Sequence, residues 1–173
     1  MTKKLIVGLG NPGDDYEGTR HNVGKETLLV LAQKENLVWK DVGCGIRTNW
    51  RNNVLFVPKI FMNNSGLAIA KLWDTEEFVA QEMIIVRDDL DMELGKVRGP
   101  VWKSGAGGHN GVLSVLAEIE ADDFGQIKIG IGRPEDKDEI SDFVTDKFKK
   151  NEKEIIENAI TEVIARIEAW VGA

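Results

Sequence analysis

This sequence is poor in the residues from which many active sites are built. It has one cysteine, Cys44, and two histidines. A lone cysteine closes no internal disulfide and offers no pair for a thiolate metal site. Cys44 therefore reads as a small buried side chain. There is no H-E-x-x-H spacing and no G-x-S-x-G elbow, so no local motif encodes a zinc hydrolase or a serine nucleophile. No apolar run is long enough to span a bilayer. The few apolar residues after Met1-Thr2-Lys3-Lys4 are too short for a signal-peptide core. They read as the first buried strand of a cytoplasmic protein.

Acidic residues are missing where they matter. The formal net charge is −7, which argues against a nucleic-acid partner. Yet residues 42–73 and 94–117 contain no aspartate or glutamate, while they carry Arg47, Arg51, Lys59, Lys71, Lys96, Arg98 and Lys103. A local positive face on an acidic protein is therefore expected, and a local face is what a phosphate feels.

What is present reads as one α/β domain over residues 1–173, of a length that supports a sizeable core. Strands are expected at residues 4–10, 53–59, 83–86 and 127–131. Residues 96–102 suit an irregular edge strand interrupted by Gly99-Pro100. Helical spacing predicts helices over 22–35, 64–73, 112–119, 141–148 and 155–170. This alternation predicts a single-domain, mixed, mostly parallel twisted sheet with helices on both faces. Sites in such sheets form where loops leave the carboxyl ends of strands.

Each histidine precedes an asparagine beside a glycine-rich run. One run is Gly8-Leu9-Gly10-Asn11-Pro12-Gly13, followed by Thr19-Arg20-His21-Asn22. The other is Gly105-Ala106-Gly107-Gly108-His109-Asn110-Gly111. The first run fits G-x-G-x-x-G, but Asp14, Asp15 and Glu17 follow it and would repel a pyrophosphate. A dinucleotide cofactor is not expected. His21 suits a general base if a carboxylate orients it. Asp88 leads by position, with Asp89 and Asp91 close competitors. The same acids with two histidines also allow a metal-hydrolase reading. Asn63-Asn64-Ser65-Gly66 opens a helix with amides, which suits capping.

Taken together, these blocks resemble bacterial peptidyl-tRNA hydrolases. To them are added Phe61-Met62, Asp88-Asp89-Leu90-Asp91 and Ile129-Gly130-Ile131-Gly132-Arg133-Pro134, all in the family's order. The resemblance implies a monomer that needs neither metal nor cofactor. It implies hydrolysis of the ester joining a peptide to the 3′ ribose of tRNA. By position, His21 matches the base acting on water, Asp88 the acid orienting it, and Asn11 the amide near the ester. Asn63 and Asn110 match residues that hold the peptide backbone, the 3′ end and the attacking water. Met62, Gly107 and His109 match lining positions, with Tyr16 beside the cleft. Arg98, Lys103 and Lys128 are the expected tRNA phosphate-binding residues. An RNA-binding relative without catalysis is the other reading that the resemblance leaves open. Arg87 departs from the polar residue that relatives often carry there; it is expected either to lower the basicity of His21 or to pair with Asp89.

Overall fold

The computed structural model describes residues 3–76 and 78–172; Met1 and Thr2 of the N-terminal lead-in lie outside them. The elements run β1 (Leu5–Gly8), α1 (Val23–Lys34), β2 (Lys40–Asp41), β3 (Gly45–Trp50), β4 (Asn53–Pro58) and α2 (Ser65–Trp73). There follow β5 (Met83–Asp89), β6 (Val97–Trp102), α3 (Asn110–Ile119), β7 (Gly125–Gly130), α4 (Ile140–Thr145) and α5 (Lys153–Gly172). The strands form one sheet in the order β2-β3-β4-β1-β5-β7-β6. Its centre, β4-β1-β5-β7, is parallel. Antiparallel pairs flank it, β2 and β3 on one side and β6 on the other.

Strand alternation divides the core in two. Ile6, Leu55, Val57, Ile84, Val86, Ile127 and Ile129 face α1 and α5. Leu5, Val7, Val54, Phe56, Met83 and Ile85 face α2 and α3. The four central strands are buried on both faces, which is why they read as continuous apolar runs. The expected coverage of both faces is observed. β6 is an edge strand whose register shifts between Arg98 and Val101, around Gly99-Pro100.

Three expectations are revised. β2 and β3 were not anticipated, because Gly45-Ile-Arg-Thr-Asn-Trp50 has only a broken in–out pattern. The strand predicted at 83–86 continues through Arg87, Asp88 and Asp89, paired to β7 along its length. The helix predicted at 141–148 is Ile140–Thr145. It stops where the chain turns to meet the segment before α1. There Arg20 donates its backbone N–H to the Asp146 carbonyl, and its guanidinium reaches the carbonyls of Asp146 and Lys147 and the carboxylate of Glu152.

One close approach positions the site. Gly24 lies in the first turn of α1, against the backbone of Val86 in β5. A β-carbon at Gly24 would overlap the Val86 carbonyl. His21 lies three residues before Gly24, and Asp88 two residues after Val86. Gly24→Ala is expected to destabilise the protein by about 1–3 kcal/mol through overpacking, despite the roughly 1 kcal/mol that alanine brings to a helix interior. Urea unfolding checks this; an unchanged or raised midpoint contradicts the packing argument.

Candidate active site

The carboxyl ends of β1, β4 and β5 open into a cavity of about 460 Å³. Eight of the nine residues expected for catalysis or substrate lie on it: Asn11, His21, Asp88, Met62 and Asn63 from one side, Gly107, His109 and Asn110 from the other. Tyr16 does not line it, but packs edge-on against Phe61, a lining residue, with ring centroids 5.9 Å apart. Sequence reasoning missed the α4 wall formed by Ile140, Ser141, Val144 and Thr145. No motif marks these side chains; only the tertiary turn at Arg20 brings them there.

Asp88 is the hub. Its carboxylate is 2% exposed and sits between the two histidines. His21 Nδ1 lies 2.9 Å from Oδ1 and 3.0 Å from Oδ2. His109 Nε2 lies 2.9 Å from Oδ1. Burial by itself raises the Asp88 pKa, but the attraction and hydrogen bonds of His109 and His21 outweigh it and hold the carboxyl well below the usual range. The competitors are engaged elsewhere. Asp89 pairs with Arg87 at 3.3 Å, one of the two outcomes expected for that cation. Asp91 pairs with Arg133 at 2.5 Å.

The histidines differ in their second nitrogen. His109 caps α3: its Nδ1 accepts the backbone N–H of Gly111 at 3.1 Å and of Val112 at 3.4 Å. Nδ1 is therefore the lone-pair nitrogen, and the ring proton is on Nε2, donated to Asp88. Burial is the main cause that lowers the His109 pKa, and Asp88 opposes it. His21 donates Nδ1–H to Asp88, so its lone pair is on Nε2. Nε2 has no protein partner among the described residues. The sequence reading of His109 as a cleft wall is thus too modest, since it is the second donor to the hub.

Asn11 is fixed at both ends. Its backbone exchanges hydrogen bonds with the Asn22 side chain, at 2.7 and 3.0 Å. Its Oδ1 accepts the Met62 N–H at 2.7 Å. The amide orientation follows from that acceptor role. Its Nδ2 donors have no protein partner among the described residues, and the side chain lines the cavity. A lone pair and an amide donor thus converge on one cleft.

His21, Asp88 and His109 also offer three donor atoms within 4.8 Å of one another. They are already joined as donor–acceptor pairs at hydrogen-bond distance. A metal would have to displace both ring protons and would leave the carboxylate without them. The set fits a hydrogen-bonded triad better than a metal centre.

The expected phosphate-binding residues Arg98, Lys103 and Lys128 lie outside the cavity lining. Lys128 on β7 is in register with Arg87 on β5 and Arg98 on β6, so the three form one row across the sheet. Lys103 is exposed just beyond β6. The first acid-free stretch forms no comparable face. Arg47 pairs with Glu76, Lys59 with Asp41 at 2.5 Å, and Arg51 approaches Glu168 at 4.0 Å. Carboxylates from outside the stretch, two of them just beyond its ends, pair with these three cations.

The family model described as peptidyl-tRNA hydrolase matches residues 5–173. This chain belongs to the peptidyl-tRNA hydrolase family. It is 38% identical to the peptidyl-tRNA hydrolase of Shouchella clausii over 97% of this chain and 93% of that one. It is 43% identical to one from Dehalococcoides mccartyi, over 91% and 87%. A crystal structure of the Acinetobacter baumannii peptidyl-tRNA hydrolase superposes with a TM-score of 0.91 at 32% identity, covering 98% of this chain and 89% of that one.

The capping role of His109 has a pH signature. A lowered folded-state pKa means that the unfolded chain takes up the proton first as pH falls. The associated stability is complete above the unfolded histidine value of about 6.5 and declines below it. Asparagine also caps helices but does not titrate. His109→Asn should therefore show a flatter decline in unfolding free energy between pH 7 and 5 than the unsubstituted protein. Parallel declines refute the assignment.

Proposed function

We propose that this protein hydrolyses the ester of peptidyl-tRNA, freeing tRNA and peptide, with His21 as general base. The observation that carries this reading is the free Nε2 of His21, oriented by buried Asp88, beside the fixed amide of Asn11. His21 Nε2 takes a proton from water as its oxygen attacks the ester carbonyl. Asp88 stabilises the imidazolium that results. The Asn11 Nδ2 donors face the oxyanion that develops. The imidazolium then returns its proton to the leaving ribose oxygen, and the carboxylic acid product departs.

The substrate carries any peptide, so recognition must use backbone atoms. Exposed Asn63 and Asn110 on the cavity rim suit this, with Met62, Gly107 and His109 shaping the wall and Tyr16 buttressing Phe61. Arg98, Lys103 and Lys128 suit the phosphates near the 3′ end. The protein is expected to act as a cytoplasmic monomer, without metal or cofactor. Among the described residues no helix is long and apolar enough to cross a membrane.

His21→Ala should lower peptidyl-tRNA turnover by about 10²- to 10⁴-fold and leave tRNA binding intact, while excess chelator leaves the unsubstituted enzyme unaffected. Full activity of the variant sinks the mechanism, and loss on chelation favours a metal. A protein that binds tRNA but never cleaves is the non-catalytic relative instead. Lys128→Ala should raise KM more than it lowers kcat and flatten the salt dependence of KM, since each phosphate contact releases counterions. An unchanged slope removes Lys128 from the phosphate site.

A further inference from the structure

Arg87 is 2% exposed, yet its guanidinium is incompletely used. Nε donates to Gln126 Oε1 at 3.0 Å. Nη1 donates to the Asp88 carbonyl at 2.7 Å and pairs with Asp89 at 3.3 Å. Nη2 is buried and has no partner among the described residues. Leaving a buried charged donor unmatched is costly, so this group asks for a ligand.

Its surroundings say which kind. Arg87 lines the cleft with Gly107 and Gly108. Nη2 lies 3.7 Å from where a Gly107 β-carbon would stand, so the missing side chain leaves the guanidinium thinly covered on that side. Gln126, which holds Nε, also donates to the Gly105 carbonyl at 2.8 Å and ties this glycine loop to the sheet. Arg87 is also the inner end of the cation row that continues through Lys128 to Arg98. Among the described residues, Asp89 is the carboxylate that pairs with members of this row. Asp88 is committed to the histidines and Asp91 to Arg133.

We propose that Arg87 is an anion-binding residue of the cleft, its Nη2 donating past Gly107 to the phosphodiester nearest the 3′-terminal nucleoside. This deepens the proposed function and rests on it for the identity of the substrate. The row then grips successive phosphates, with Arg87 closest to the chemistry. Because Nη1 holds the Asp88 carbonyl, the same guanidinium links the bound phosphate to the backbone of the hub.

The test uses a deacylated RNA hairpin ending in single-stranded CCA, which has no peptide and no ester. Its affinity for the intact protein is measured across a salt series. Arg87→Met should weaken binding about tenfold and lower the slope of log affinity against log salt by about 0.7, the value for one single-strand phosphate. An unchanged slope overturns the proposal, including the case where only kcat falls, which makes Arg87 a positioning residue for Asp88. If Arg87→Met fails to fold, Gly107→Ala serves instead. Its β-carbon would stand 3.7 Å from Nη2, at a φ of +56° that strains a side chain, so its fold is first checked by urea unfolding; it should lower the slope in the same way. A normal slope in that variant overturns the proposal too. The two readings fail separately. Cleavage with an Arg87-independent slope retains the hydrolase and removes the contact, whereas an Arg87-dependent slope without cleavage retains the contact and removes the hydrolase.

Discussion

A carboxylate with almost no access to water must be surrounded by donors, and the site is organised around meeting that demand at Asp88. Its donors are two histidine N–H groups, supplied from the turn before α1 and the start of α3. Both elements must approach the end of β5 closely. On the α1 side this requires Gly24, because a side chain there would collide with Val86. On the α3 side it requires the glycine-rich turn that delivers His109, with Gly111 passing against Met62 and Leu9. In the first run Gly8 likewise passes against the Gly24 carbonyl, whereas Gly111 of the second passes against side chains.

The same demand separates the histidines chemically. Each donates one proton to Asp88, so each must keep its lone pair on the other nitrogen. At His109 that nitrogen is consumed by two backbone N–H groups of α3. At His21 it faces the cavity. A residue with a free lone pair and an oriented partner can take a proton; one whose lone pair caps a helix can do so only by uncapping it. The division of labour follows from what lies behind each ring, since their ring centroids are only 4.9 Å apart.

These relations explain what was legible in the sequence. The central strands and the long helices were readable because burial on two faces, or along one stripe, leaves runs and periodicities. β3 was not, because an outer strand with intermittent burial leaves neither. Asp88 was only one of three acids by spacing. The choice became clear when Arg87 and Arg133 were found to occupy the other two. The capping role of His109 leaves no compositional trace, since it depends on a tautomer and two backbone amides. Family resemblance supplied positions, but not the distinction between the two lone pairs.

Charge shows the same limit from the other side. Two acid-free stretches looked equivalent in sequence, but folding brings Glu76, Asp41 and Glu168 to the cations of the first. The second keeps Lys96, Arg98 and Lys103 out of ion pairs among the described residues, and adds Lys128 and Arg87 beside Arg98. A net charge of −7 opposes approach of a polyanion only over distances that salt does not screen. At physiological ionic strength the screening length is about 8 Å, short compared with a protein of this size. Charges within that range of the cleft are those of the cation row, Asp89 and Asp88, the last already held by the two histidines. An acidic net charge and a local basic row are therefore compatible, because at this screening length each acts only on its own surroundings.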